Sequence, residues 1–143
     1  MTFVLDASVT MCWLFLDGKP AERAYALKVL DAMKQAETKA LVPAIWGLEV
    51  SNVIAKAESK GLLSEAQSEA FLEMLVSVDI GADAATSSRA LSDTLQIARR
   101  YRLSAYDASY LELAMRMGLS LATLDQDLQK AAKKAGLKRF AAA

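Results

Sequence analysis

Phe3-Val4-Leu5-Asp6-Ala7-Ser8 is the stretch on which the fold turns. An unbroken apolar run stops at an aspartate, and a second, largely apolar run from Val9 to Leu16 follows at once. A strand that alternates apolar and polar residues shows one face to water. One that is apolar throughout is covered on both faces, as the strands of a parallel sheet are. Phe3–Asp6 therefore reads as a buried parallel strand, and the run after it as a helix folded back against the sheet.

Further strand candidates lie at Leu41–Val42 before Pro43, Val78–Ile80, Leu119–Thr123 and Lys138–Phe140. Between them the spacing is helical. Ala26, Val29, Leu30 and Met33 recur at i, i+3, i+4 and i+7, as do Leu91, Thr94, Leu95 and Ala98. Pro20 and Pro43 stand where first-turn prolines belong. Ser64 with Gln67, and Ser104 with Asp107, have the spacing of N-terminal caps. Lys60-Gly61-Leu62, Met117-Gly118-Leu119 and Ala135-Gly136-Leu137 share one stop signal, a glycine able to turn left-handed and a leucine that packs back. The order β-α-α-β-α-α-β-α-α-β-α-β implies an α/β fold, a parallel sheet with helices on both faces.

Composition narrows the chemistry. The chain has 143 residues, 54% of them hydrophobic, the size of one domain with an ample core. A single domain is expected over residues 1–140, with Ala141–Ala143 frayed. No apolar stretch approaches the 20 or so residues of a membrane span, and no signal-peptide pattern is present. A soluble, cytoplasmic protein with no membrane partner is the expectation. Cys12 is the one cysteine, expected to be buried, so neither a disulfide framework nor a multi-cysteine metal site is available. Histidine is absent, which removes Ser-His-Asp and Cys-His mechanisms and zinc sites of the usual kind. The six glycines are too far apart for a nucleotide-cradling loop. Chemistry here must fall to carboxylates and hard cations.

Four carboxylates stand out. Asp6 ends the first strand and Asp125 follows the Leu119–Thr123 strand, so a parallel sheet would bring both to the edge where ligands bind. Either could instead cap the helix that follows it. Glu49 lies in Ala44–Ala55, apolar nearly all round and so expected to be a buried helix, where a lone carboxylate is costly unless paired or bound to a cation. Asn52, three residues on, could orient it. Asp107 shares the inward stripe of Tyr110, Leu111 and Ala114, although it is also placed to partner Ser104 in a cap. Four such acids would repel one another unless a cation joined them, and Mg²⁺ or Mn²⁺ suits an all-oxygen site and phosphodiester hydrolysis.

Charge totals give no such hint: 17 basic and 17 acidic residues leave a net charge of zero. The basic residues cluster locally, as Arg99, Arg100 and Arg102, and again as Lys130, Lys133, Lys134, Lys138 and Arg139. Each cluster is either a solvated helix end or a phosphate-contacting surface.

Four segments taken in order resemble the PIN-domain ribonucleases, and in particular the VapC toxins of bacterial type II toxin–antitoxin pairs. They are Phe3–Ser8, Val42-Pro43 through Glu49-Val50-Ser51-Asn52, Leu103–Ala114, and Leu121-Ala122-Thr123-Leu124-Asp125. The resemblance implies a PIN-like three-layer α/β/α sandwich around a twisted parallel sheet of about five strands. It also implies Mg²⁺ or Mn²⁺ at an acidic site and endonucleolytic cleavage of RNA. The family's four acids fall on Asp6, Glu49, Asp107 and Asp125, with Asp6 and Asp107 the direct metal ligands. Asn52, Thr123, Ser8 and Asp127 fall at supporting positions. A homodimer and a cognate VapB-like antitoxin that lays a peptide over the acidic cleft are further implications, and in that setting Arg99, Arg100 and Arg102 become RNA-backbone contacts.

Competing readings fare less well. A haloacid-dehalogenase-type phosphotransferase needs a second aspartate where Ser8 stands. A response-regulator receiver needs a middle-strand aspartate and a late lysine that are not evident. A catalytically weak PIN-like module that binds RNA or protein is the alternative, supported by the zero net charge.

Overall fold

A computed structural model describes residues 1–141. The expected frayed tail, Ala141–Ala143, falls outside the described residues at its last two positions. Four strands form one sheet: β1 (Thr2–Leu5), β2 (Lys39–Pro43), β3 (Ile80–Asp83) and β4 (Leu121–Ala122), in the order β3-β2-β1-β4 and all parallel. The fifth strand expected at Lys138–Phe140 shrinks to a single bridge between Leu121 and Arg139. β4 is only two residues long, so it offers little ladder for a neighbour to extend.

The helices are α1 (Ala7–Phe15), α2 (Pro20–Met33), α3 (Trp46–Ser59), α4 (Glu65–Val76), α5 (Thr86–Arg89), α6 (Leu95–Tyr101), α7 (Ala105–Met117) and α8 (Gln126–Lys134), with a π-helical turn, Ala90–Thr94, joining α5 to α6. None is long and apolar enough to cross a membrane.

The alternation of β1 builds the layers. Phe3 and Leu5 face a core completed by Val9, Trp13, Val29, Ile54 and Phe71 from α1–α4, whereas Val4 faces Tyr110, Leu111, Leu113 and Leu128 from α7 and α8. All three β1 residues are fully buried, each burial of this kind contributing about 1.5–3 kcal/mol. The result is the expected three-layer α/β/α sandwich.

Several local expectations change. Pro43 ends β2 opposite Asp83 and opens no helix, which begins three residues later at Trp46. The helix holding Glu49 is buried on one stripe only, Val50, Ile54 and Ala57, and leaves Leu48 73% exposed. The stripe Leu91, Thr94, Leu95 and Ala98 is broken by the π turn, whose wider winding swings Leu91 into solvent and leaves Thr94 buried.

The three glycine stops form as expected. Leu62, Leu119 and Leu137 each donate a backbone bond of 2.9 Å to the carbonyl five residues earlier, past a glycine at positive φ. α6 closes the same way, Leu103 to Ala98 at 3.0 Å, but with Arg102 at the left-handed position (φ 55, ψ 47). A side chain there costs roughly 1–2 kcal/mol that glycine avoids.

Candidate active site

The chain winds outward from β1 to β2 to β3, then crosses back to lay β4 on the other side of β1. That reversal makes the carboxyl ends of β1 and β4 the switch point of the sheet, the place where an open α/β sheet binds its ligands. Asp6 follows β1 directly, and Thr123, Leu124 and Asp125 follow β4.

Asp6 occupies the cap position of α1 yet makes no side-chain cap bond. Its Oδ2 instead accepts from the Ser8 hydroxyl at 2.5 Å and the Thr123 hydroxyl at 2.7 Å. Those hydroxyls are oriented in turn: Ser8 Oγ accepts the Leu124 amide at 3.0 Å, and Thr123 Oγ1 accepts the Asp125 amide at 3.0 Å. The backbone after β4 thus aims two donors at one carboxylate oxygen. Asp6 is 5% exposed, and burial raises its pKa; the Ser8 and Thr123 bonds pull it down and the Asp125 charge pushes it up.

Asp125 does cap α8, its Oδ1 accepting the Leu128 amide at 2.9 Å. Asp107 plays the expected part in the α7 cap, donating its amide to Ser104 Oγ at 3.1 Å, but its half-buried carboxylate faces the other acids. Burial first, then the charges of Asp6 and Asp125, raise it to about 6; the Ser104 bond opposes this, and Asp127 adds to it. Glu49, in the first turn of α3, is raised by burial and by Asp6 and Asp107. A bond from Tyr110 opposes that shift, its hydroxyl donating to Glu49 Oε1 at 2.6 Å. The Tyr110 phenol is wholly buried and held far above its ordinary range, first by burial and then by Glu49, so it serves as a donor.

The structure therefore brings Asp6, Glu49, Asp107 and Asp125 to one edge and sets Ser8 and Thr123 against Asp6. Asp127 is exposed and acts on Asp107 through space. Asn52 is exposed, and the bond expected from it to Glu49 comes from Tyr110. The signal for Tyr110 was present in the sequence: a tyrosine on a buried stripe needs a partner for its hydroxyl. Arg99, Arg100 and Arg102 are all exposed at the end of α6.

A second charged cluster, not foreseen, flanks this edge. Arg116 bonds Asp83, at the end of β3, through Nη2 at 2.5 Å and Glu112 through Nε at 2.9 Å. The cluster's two carboxylates share one guanidinium. The quartet is different, because every charged neighbour that shifts Asp6, Glu49 and Asp107 is another carboxylate. An all-oxygen donor set with uncompensated negative charge fits a hard divalent cation by chemistry. Among the described residues, no three Asp, Glu or Cys side chains are arranged, as they stand, to hold a metal ion.

The chain is 28% identical over 128 residues to Ribonuclease VapC3 of Pyrobaculum aerophilum, covering 90% of this chain and 92% of that one. Its fold is similar to the crystal structure of PAE2754 from Pyrobaculum aerophilum (TM-score 0.66, 23% identity, 92% of this chain and 87% of that one). It is also similar to VapBC2 from Rickettsia felis, solved bound to a DNA fragment from their promoter (TM-score 0.61, 11% identity, 91% and 92%). Residues 3–134 match the PIN domain, a span holding both strand ends and all four acids, and the chain belongs to that family.

Proposed function

We propose that this chain is the toxin of a type II toxin–antitoxin pair, a Mg²⁺- or Mn²⁺-dependent endoribonuclease acting through Asp6, Glu49, Asp107 and Asp125. The observation that carries the reading is the buried Asp6, fixed by two oriented hydroxyls beside three acids with no basic residue among the charges that shift them. The similarity to a VapC ribonuclease supports the activity, and the likeness in fold to VapBC2 supports a VapB-like antitoxin as partner. One PIN domain over residues 1–140, a homodimer and a cytoplasmic location belong to the same reading.

Asp6 and Asp107 would hold the cation most directly, with Glu49 and Asp125 beside them. When bound, the cation supplies charge neutralisation at a phosphoryl oxygen and a water of lowered pKa. Ser8 and Thr123 keep Asp6 in one orientation. Tyr110 fixes Glu49 and, by donating to it, favours the ionised form. Asp107 gives up its proton as pH rises through about 6, which adds one negative charge to the site.

One observation favours a second reading, a catalytically weak PIN-like module that binds RNA or protein: the acids are not arranged as they stand to hold an ion. Total RNA incubated with Mg²⁺, Mn²⁺ or EDTA, beside the Asp6→Asn variant, separates the two. Discrete fragments that vanish with EDTA and with the variant are expected. No cleavage by folded, antitoxin-free protein in either metal, or a folded Asp6→Asn that cuts normally, would sink the nuclease reading as stated.

A further inference from the structure

Two helices close on a side chain in the left-handed conformation, α1 at Leu16 and α6 at Arg102, and only at Arg102 is that side chain charged. Three helices close through a glycine followed by a leucine, and the fourth makes the same closure through Arg102 and Leu103. Arg102 holds a backbone conformation that glycine would adopt without strain, and strained positions of this kind gather at functional sites. What the chain gains is a guanidinium at that point.

Arg102 lines a cleft of about 630 Å³ between the end of α6 and one face of α8. Arg100, Lys130 and Lys134 also line it, with Tyr101 and one carboxylate, Asp127. Asp127, Lys130 and Lys134 follow one another at i, i+3 and i+7, so they form a row along α8 about 10 Å long. Asp127, at the start of the row, stands in the first turn of α8, two residues after the cap Asp125, which puts that end of the cleft next to the acidic edge. The two lysines then lead away from it. Tyr101 is half-buried, and the Arg100 guanidinium stands 5.6 Å from its ring centre, a pairing that leaves an aromatic wall beside the cations. Four cations against one carboxylate make this cleft strongly positive in a chain whose net charge is zero. An anionic polymer has no bulk attraction to such a protein and needs a local one.

We propose that the α6–α8 cleft is the track for the phosphate backbone of single-stranded RNA entering or leaving the acidic site, and that Arg102 sits in its strained conformation to serve it. Arg100, Lys130 and Lys134 take successive phosphates, and Tyr101 offers a face on which a base can stack. This inference rests on the ribonuclease reading, and it separates Arg100 and Arg102, in the cleft, from Arg99, which does not line it.

Arg102→Gly gives a test in which stability and binding move in opposite directions. Binding of a fluorescent single-stranded RNA oligonucleotide is followed by anisotropy in EDTA across a salt series, beside melting temperature and metal-dependent cleavage. Arg102→Gly is expected to melt about 3 °C higher than the wild type while binding roughly tenfold more weakly. Its slope of log affinity against log salt should flatten by about 0.7, one phosphate's worth for a single strand. Lys134→Ala should lose binding similarly without the gain in melting temperature. Lys28→Ala, an exposed cation on α2 across the sheet, should bind as the wild type does. If Arg102→Gly and Lys134→Ala kept wild-type affinity and salt slope while the wild type cleaved RNA, the cleft would be overturned and the nuclease reading would stand. Loss of binding in both variants of a protein that cleaves nothing would uphold the cleft and overturn the nuclease. A wild type that shows no salt-dependent binding would overturn the inference.

Discussion

Asp107→Asn should make the metal-free protein more stable at neutral pH while ending cleavage. In the folded chain Asp107 titrates near 6 against an ordinary 3.8, so between those values the folded form holds a proton that the unfolded form has released. The associated stability is complete below about pH 4 and is lost as pH rises through 6. At 1.36 kcal/mol per pH unit the full change is roughly 3 kcal/mol. The side chain is only partly buried, and solvent screening reduces that to about 1–2 kcal/mol. Asparagine keeps the size and the backbone bond to Ser104 Oγ, and removes the charge. It also takes one repelling neighbour from Glu49. In EDTA at pH 7.5 the variant should therefore melt roughly 3–8 °C above the wild type, and at pH 4 the two should coincide. Added Mg²⁺ should then stabilise the wild type, by about 2.7 kcal/mol at a hundred times its dissociation constant, and the variant far less. A variant that melts below the wild type at pH 7.5, or a gap of the same size at both pH values, would refute the claim that repulsion and burial of this carboxylate cost stability.

Two further changes probe the groups around the site. Arg116→Met leaves Asp83 and Glu112 facing each other without their cation, at side-chain exposures of 13% and 5%, and should cost about 3–5 kcal/mol in denaturant unfolding. A loss under about 1 kcal/mol would mean that the pair is not what fastens α7 to β3. Tyr110→Phe removes the donor to Glu49, should cost about 1–3 kcal/mol, and should move the acid limb of the pH–rate profile to higher pH, because the bond that holds Glu49 down is gone. An unmoved profile with lowered stability would reduce Tyr110 to a packing role.

Much of this was legible in one dimension. β1 and Asp6 could be read because an apolar run ending in an acid carries both burial and edge position within six residues. The glycine stops and the Ser64 and Ser104 caps are equally local. Glu49 was reached by a faulty route: its helix is not buried all round, and the residue matters because the first turn of α3 faces Tyr110, 61 positions away. No spacing rule reports such a pair, nor the Arg116–Asp83 contact 33 positions apart. The π turn was invisible for a related reason, since an apolar stripe predicts a continuous α-helix until tertiary packing slips it. Asp125 shows that the two readings offered for it were never exclusive: one oxygen caps α8 while the charge acts on Asp6 and Asp107.

The distribution of unfavourable choices is itself informative. Among the described residues, no buried side-chain polar atom lacks a hydrogen-bond partner, so the chain satisfies its interior with care. Leu16 apart, whose left-handed turn only ends α1, the costs gather in one region. Asp6, Glu49 and Asp107 are held toward protonation by burial and by one another, and Arg102 keeps a backbone angle better suited to glycine. A folding sequence gains nothing from these features. On the proposed reading a cation would offset the acids and a polyanion Arg102, whose cleft begins beside the acids. Two kinds of strain of opposite charge, adjoining at the switch point of the sheet, are what a site for a metal ion and a phosphate chain requires before either is bound.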